Sequence, residues 1–411
     1  MNRLRWGNTV LFLLFFALLG NAQYCGVAPS DDLLLRNERA IDQWLNQHRD
    51  DFTEREPITI TVVFHIVYNT VEENISDEQI LSQLAVLNED FRLLNANQSI
   101  VTWPAFQERM VDMELNFKLA TKDPDGQPTA GITRRVTTIP GIALKTVDGR
   151  RRICYEELGG TDAWCPDHYL NIWVGKFDEG FSAEASFPGQ DVAQEDGIRI
   201  DPYRVGALGT VVAPYHLGRT LTHEVGHYFN LQHLWGSGSD NSACNDDDGV
   251  ADTPQQAFTY VNECPGNFNL QSCGSIDQFP NYMNYTDDAC MAMFTIGQKE
   301  RVWAALNALR PGLKQPESCG MVPTDDFVSA QGIEVSLSPN PSGEGVEISL
   351  HSNQSFDVQL SIYSSTGQQI DTRDFATSDS FYFERGELPS GIYLAVFNIG
   401  GLVLCKQFVF L

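Results

Sequence analysis

The 411-residue sequence predicts an α+β fold, in which a twisted sheet with a backing helix and a histidine-bearing helix is followed by a small β-sandwich. Three stretches lead to that reading. Ile58 to Tyr68 alternates β-branched and aromatic residues as a strand does, and an amphipathic helix follows it. Thr222 to His233 reads Thr-His-Glu-Val-Gly-His-Tyr-Phe-Asn-Leu-Gln-His, with His223 and His227 four apart and so on one helix face. Beyond a Pro-, Gly- and Ser-containing linker over 313–332, short alternating apolar runs recur between turns. These are Val335 and Leu337, then Val346, Ile348 and Leu350, then Val358, Leu360 and Ile362, then Ile392, Leu394 and Val396.

The first 22 residues read as a signal peptide. Arg3 and Arg5 give a basic start, Thr9 to Leu19 an apolar core, and Gly20-Asn21-Ala22 small residues near the cut. Tyr24 before Cys25 does not fit a lipoprotein anchor, and no stretch reaches the roughly 20 apolar residues that span a bilayer. The formal net charge of −27 argues against nucleic acid or an anionic membrane as partner, and leaves carboxylates for hard cations. The expectation is an exported, soluble protein.

Residues 23–55 are polar and charged, with a helix expected from Asp31 to Asn46. They read as a propeptide whose Cys25 thiolate is a candidate latency switch on a zinc ion, with Arg49 and Arg55 as activation cuts. In the domain over 56–312, Ser76-Asp77-Glu78-Gln79 forms a capping box, and Ile80, Leu84, Leu87, Phe91 and Leu94 follow at helical spacing. His65, inside the first strand, reads as a hydrogen-bonded core residue. Leu115, Phe117 and Leu119 mark a second strand and Leu170 to Phe177 another, whereas 178–200 reads as irregular loop. Thr295 to Leu309 is a closing helix capped by Thr295 and Gln298.

The chemistry lies in the histidine stretch. His223 and His227 can grip one metal ion, and Glu224 between them can hold a metal-bound water and take its proton. On an unbroken helix His233 would lie about 15 Å further along and on another face. It reaches the same ion only if the chain turns back, and Asn230 stands where that turn is needed. Asparagine is among the few residues besides glycine that tolerate positive φ. Further on, Asn245 to Pro254 is an acidic run in which Asp248, Asp252 and Thr253 are candidate calcium ligands, at a spacing that is not an EF-hand's. Met283 sits in a turn, Asn281 to Tyr285, placed to pass beneath the metal, and Tyr285 can aim its hydroxyl at a developing oxyanion. Nine cysteines in an exported chain suggest disulfides. Cys154 and Cys165 are close enough in sequence for a local bridge, and Cys244, Cys264, Cys273 and Cys290 can pair in three ways.

From Ile58 to Leu309 the chain resembles pappalysin-type metzincins. The likeness includes Leu170-Asn171-Ile172-Trp173-Val174, the lead-in His216-Leu217-Gly218-Arg219-Thr220-Leu221-Thr222, the segment ending Asp252-Thr253-Pro254, and the Asn281–Tyr285 turn. The resemblance implies a metzincin-like catalytic domain with zinc on His223, His227 and His233, Glu224 as general base, Met283 as the turn methionine and Tyr285 as oxyanion helper. It also implies cystines Cys244–Cys273 and Cys264–Cys290, and calcium beside the site. Asn230 departs from the usual glycine. Some relatives cleave beside basic residues by means of an acidic residue near the methionine turn, for which Asp287 and Asp288 are the candidates. Residues 333–411 are similar to the C-terminal sorting domain of type IX secretion cargo, through Ser338-Pro339-Asn340-Pro341-Ser342-Gly343, Tyr363-Ser364-Ser365-Thr366-Gly367 and Leu388-Pro389-Ser390-Gly391-Ile392-Tyr393. Together these imply a secreted zinc endopeptidase made as a zymogen, with protein or peptide substrates and the type IX machinery as partners. A binding protein that keeps zinc only for stability has no use for Glu224. A hydrolase of non-peptide esters or amides would make no internal cuts in a protein.

Overall fold

The computed structural model describes residues 29–48, 56–178, 181–236, 244–257, 259–261, 264–265, 270–315, 333–352, 357–364, 369–376, 380–399 and 402–411. The expected signal peptide, Cys25 and the cuts at Arg49 and Arg55 lie outside these residues. The chain forms two compact units, Met1–Cys319 and Gly320–Leu411.

In the first unit, β1 (Ile58–Tyr68) is the central strand, buried from Ile60 to Val67. Burial on both faces explains its run of Val, Phe and Ile. β2 (Leu115–Leu119) pairs with its first half and β3 (Ile132–Val136) with its second, while β4 (Leu170–Val174) lies on the other side, all parallel. The sheet continues through β6 (Ile198–Ile200), parallel to β4, to an antiparallel edge strand β5 (Ala183–Ala185). His65 is buried in β1, with Nδ1 at 2.9 Å from Thr133 Oγ1 and Nε2 at 3.0 Å from Asn171 Oδ1. Burial pulls its pKa down to about 4, so it is a neutral core residue.

β5 and β6 correct the expectation of irregular loop over 178–200. Three-residue strands carry too few alternations to register in sequence. They form because Ala183, Ala185, Ile198 and Ile200 share a core with Leu221 and Val225 of the histidine helix.

Helix α1 (Asp31–Gln47) is capped by Ser30, whose side chain accepts from the Leu33 amide. Helix α2 (Asp77–Phe91) starts at Ser76, whose Oγ accepts from Gln79 N at 3.2 Å. It ends at Phe91, and Leu93 adopts positive φ (51°), so Leu94 is exposed instead of extending the apolar face. The histidine helix α3 spans Arg219–Tyr228. Helix α4 (Ile296–Ala308) opens with a complete capping box between Thr295 and Gln298. It packs on α1 through Ala304 and Ala305 against Ile41, with Trp44 and Leu45 alongside. Leu313, at the start of the expected linker, is buried in the main core.

The second unit is a two-sheet β-sandwich. β7 (Ile333–Ser338), β8 (Gly345–Ser352) and β11 (Ser380–Glu384) form one antiparallel sheet. The other has the order β10 (Gln369–Ala376), β9 (Asp357–Ser364), β12 (Gly391–Ile399), β13 (Leu402–Phe410). Val346, Ile348 and Leu350 face Val358, Leu360, Phe397 and Phe408 in one core. β10 escaped the sequence reading because it is an edge strand rich in polar residues, as unpaired edges commonly are.

Candidate active site

Helix α3 begins at Gly218, in the left-handed region at φ 80°, and carries His223, Glu224 and His227 through a fully buried helix. The helix then closes in a Schellman motif: Asn230 N–H donates to His227 O at 2.8 Å and Leu231 N–H to Gly226 O at 2.9 Å. Asn230 takes φ 68°, the positive value that the reversal demands. The chain therefore doubles back, and His233 returns to the face from which His223 and His227 project.

The result is a convergence of three ring nitrogens. His227 Nε2 lies 3.0 Å from both His223 Nε2 and His233 Nε2, and the latter two are 3.3 Å apart. His223 Nδ1 meets Tyr282 O at 2.7 Å, and His227 Nδ1 meets Leu231 O at 2.7 Å. A carbonyl can only accept, so each of these Nδ1 atoms carries the proton and each Nε2 presents a lone pair. Burial holds His223 near pKa 4; burial and the neighbouring imidazoles hold His227 and His233 well below the ordinary histidine value. Neutral imidazoles with their lone pairs aimed at one point fit a cation. Ligand nitrogens about 3.3 Å apart suit tetrahedral zinc with bonds of about 2.0–2.1 Å. Among the described residues this is the one group of three or more ligand-type side chains gathered closely enough to hold a metal.

The surroundings hold the triad rigid. Trp235 stacks on His233 with centroids 4.5 Å apart and planes 10° apart. Tyr285 stands 5.4 Å from His223 and 4.8 Å from His233, and Phe187 5.2 Å from His227. Met283 is fully buried beneath α3, with its turn held by Met283 N–H donating to Asn281 Oδ1 at 2.9 Å.

Residues 156–307 match the family described as pregnancy-associated plasma protein-A, and 336–410 match the secretion system C-terminal sorting domain. Tannerella forsythia mature mirolysin, solved in complex with a cleaved peptide, is 38% identical, with 64% of this chain and 97% of that one covered at a TM-score of 0.59. The chain belongs to the pappalysin family of metalloendopeptidases. A glutamate-to-alanine variant of T. forsythia promirolysin is 35% identical, with 71% of this chain and 97% of that one covered and a TM-score of 0.61. The extracellular metalloprotease of Arthroderma otae is 39% identical over 126 residues, 30% of this chain and 44% of that protein. The chain thus spans about half the length of that curated relative. The sorting domain and the extracellular relatives mark this pappalysin as a secreted protein, and no helix among its described residues is long and apolar enough to cross a membrane.

Sequence reasoning missed the polar hub under the pappalysin helix. Asp90 of α2 is fully buried and accepts from Thr222 Oγ1 at 2.7 Å and Tyr282 OH at 2.8 Å, and it pairs with Arg219 at 2.9 Å. Burial raises its pKa to about 7 against the pull of Arg219 and both hydroxyls. One carboxylate thereby ties the backing helix to the residue before His223 and to the residue before Met283. A signal existed in sequence: Gln79, Gln83 and Asp90 put polar groups on the helix's buried side.

The structure joins Cys244 to Cys273 and Cys264 to Cys290, the pairing implied by the family resemblance. It overturns the local Cys154–Cys165 bridge: Cys154 is a buried free thiol, and Cys165 is disulfide-bonded elsewhere. Cys154 packs with Val67, Ile153 and Trp173, whereas Cys165 packs with Trp164 near Val63 and Tyr169, so the two lie in separate clusters. Burial pushes the Cys154 thiol up to about 12.

The candidate calcium residues are all engaged with protein groups. Asp248 accepts from Thr253 Oγ1 at 2.7 Å and from Val250 N at 3.1 Å. Asp252 accepts from Thr295 Oγ1 at 2.7 Å and from Gly297 N at 3.0 Å, at the start of α4. Asp288 is buried and accepts from Leu217 N at 2.6 Å, at the entry to α3. Its carboxylate serves that junction.

Proposed function

We propose that the protein is a secreted zinc endopeptidase that hydrolyses internal peptide bonds and is made as a zymogen. The convergence of three inward lone pairs beside Glu224 carries this reading. His223, His227 and His233 would hold the zinc, which when bound supplies Lewis-acid chemistry and makes water acidic enough to lose a proton near neutral pH. Glu224 accepts the proton of the attacking water and passes it to the leaving amine nitrogen. Tyr285 places its hydroxyl where the carbonyl oxygen gains charge. Tyr282 O and Leu231 O fix the tautomers of two ligands, and Met283 supports the helix from below. A mirolysin holding a cleaved peptide supports peptide substrates, and a promirolysin among the relatives supports a proenzyme. The sorting domain supports the type IX machinery as export partner.

Calcium is the finer part of the proposal, with Asp248, Asp252 and Thr253 as its candidate ligands. One metal-replacement series tests both ions on the processed enzyme. Chelation is expected to abolish the formation of new internal termini in a denatured protein, zinc alone to restore it, and added calcium to raise the melting temperature. Digestion that survives chelation overturns the zinc reading, and a melting temperature indifferent to calcium removes calcium.

Latency through Cys25 and removal of 23–55 completes the reading. Cys25→Ala is expected to make the unprocessed chain cleave peptide without activation, and an unprocessed variant as inactive as the parent would exclude the thiolate switch.

A further inference from the structure

We infer that Asn37 of the N-terminal helix is a positioning residue for the zinc loop of the unprocessed chain, clamping the two segments that flank the histidine triad until 23–55 is removed. This rests on the reading of the triad as a zinc site. The Asn37 side chain is buried, and its Nδ2 donates to Pro188 O at 2.9 Å and to Asn230 Oδ1 at 2.9 Å. The Pro188 carbonyl accepts only, which fixes which way the Asn37 amide points.

Each partner touches the site. Pro188 follows Phe187, whose ring packs on His227. Asn230 is the positive-φ residue that turns the chain toward His233. One amide therefore ties the support of the second ligand to the turn that delivers the third. The Asn230 amide is answered in turn: its Nδ2 donates to Glu38 Oε1 at 3.1 Å, and Glu38 pairs with Arg301 of α4.

This accounts for asparagine at a position where glycine would satisfy the backbone more cheaply. Asn230 is fully buried, so its amide needs partners, and α1 supplies both of them. Without α1, Asn230 Oδ1, Pro188 O and the Arg301 guanidinium each lose a partner.

Asparagine and aspartate have the same shape, which makes Asn37→Asp the decisive variant. A carboxylate in place of the amide would set acceptors against Pro188 O and Asn230 Oδ1, and no side-chain flip relieves both. Hydrogen exchange of the full chain, with and without zinc, reads the effect. Amides over 229–233 in Asn37→Asp are expected to exchange roughly ten- to a hundredfold faster than in the parent, and zinc to pass to a chelator faster by a similar factor. Asn37→Ala is expected to do less, an order that a purely space-filling role would reverse. Parental exchange over 229–233 in a folded Asn37→Asp chain overturns the clamp.

Asn230→Gly supplies the test if that variant does not fold, since glycine keeps the positive φ. It is expected to speed exchange in α1 over 31–47, and unchanged protection there overturns the proposal. A parent chain that binds no zinc would sink the functional reading while leaving the clamp to be judged on metal-free exchange.

Discussion

Glu224→Gln is expected to lower kcat on a peptide substrate by a factor of about 10²–10⁴, the range that general acid–base catalysis contributes, and to leave zinc bound. Glutamine keeps the length and hydrogen-bonding reach of the side chain but cannot accept a proton from water. The three proposed ligands are histidines held through Tyr282 O, Leu231 O and the stacked Trp235, so none of their supports is changed. Glu224 is buried, and replacing a buried carboxylate by a neutral amide removes a desolvation cost. The melting temperature is therefore expected to be equal or higher, which separates lost chemistry from lost fold. Steady-state kinetics, metal analysis and a melting curve on one preparation decide it. Unchanged proteolysis would exclude Glu224 as the base, and loss of zinc would mean that the residue acts on the ligand set.

Much of this site was legible because its parts are local. A four-residue spacing puts two histidines on one face, and the third needs a reversal whose location is fixed by counting. Asn230 could be named in advance because few residues tolerate positive φ. The capping boxes at Ser76 and Thr295 were equally local. What escaped depends on contacts between distant segments. Asp90 meets Thr222 across 132 positions, and Asn37 meets Asn230 across 193. Periodicity marks such residues only as polar groups in an apolar stripe and does not name their partners. The Cys154–Cys165 expectation failed for the opposite reason. Nearness in sequence says little about geometry when β4 and the loops around it send the two residues into separate clusters. The short strands β5 and β6 form the sheet edge that packs against α3, a contact that no local pattern announces.

Gly226→Ala is expected to weaken zinc binding by roughly ten- to a hundredfold, the equivalent of the 1–3 kcal/mol that overpacking a dense core costs, although the residue touches no metal. A β-carbon there would lie 2.4 Å from Met283 Sδ and 3.2 Å from its Cε. Real contacts are never so short, so either α3 or the methionine turn has to move. Met283 is fully buried and its turn is pinned at Asn281, so the thioether can yield only by repacking against its buried neighbours. The helix has little freedom either. Gly226 O accepts the Leu231 amide in the reversal, and His227 follows directly. A shift of a few tenths of an ångström at Gly226 is therefore passed to the turn at Asn230 and on to His233. Alanine is a better helix former than glycine by about 1 kcal/mol, so propensity alone predicts the opposite sign. Met283→Ala in the same chain removes the clashing atoms. The double variant is expected to recover most of the lost zinc affinity, with a coupling between the two sites in the range seen for residues in contact. Chelator competition on the parent, both single variants and the double variant measures that coupling. Additive losses would show that the methionine does not support the helix at this point, and a Gly226→Ala chain with parental affinity would show that the gap above the sulfur accommodates a methyl group.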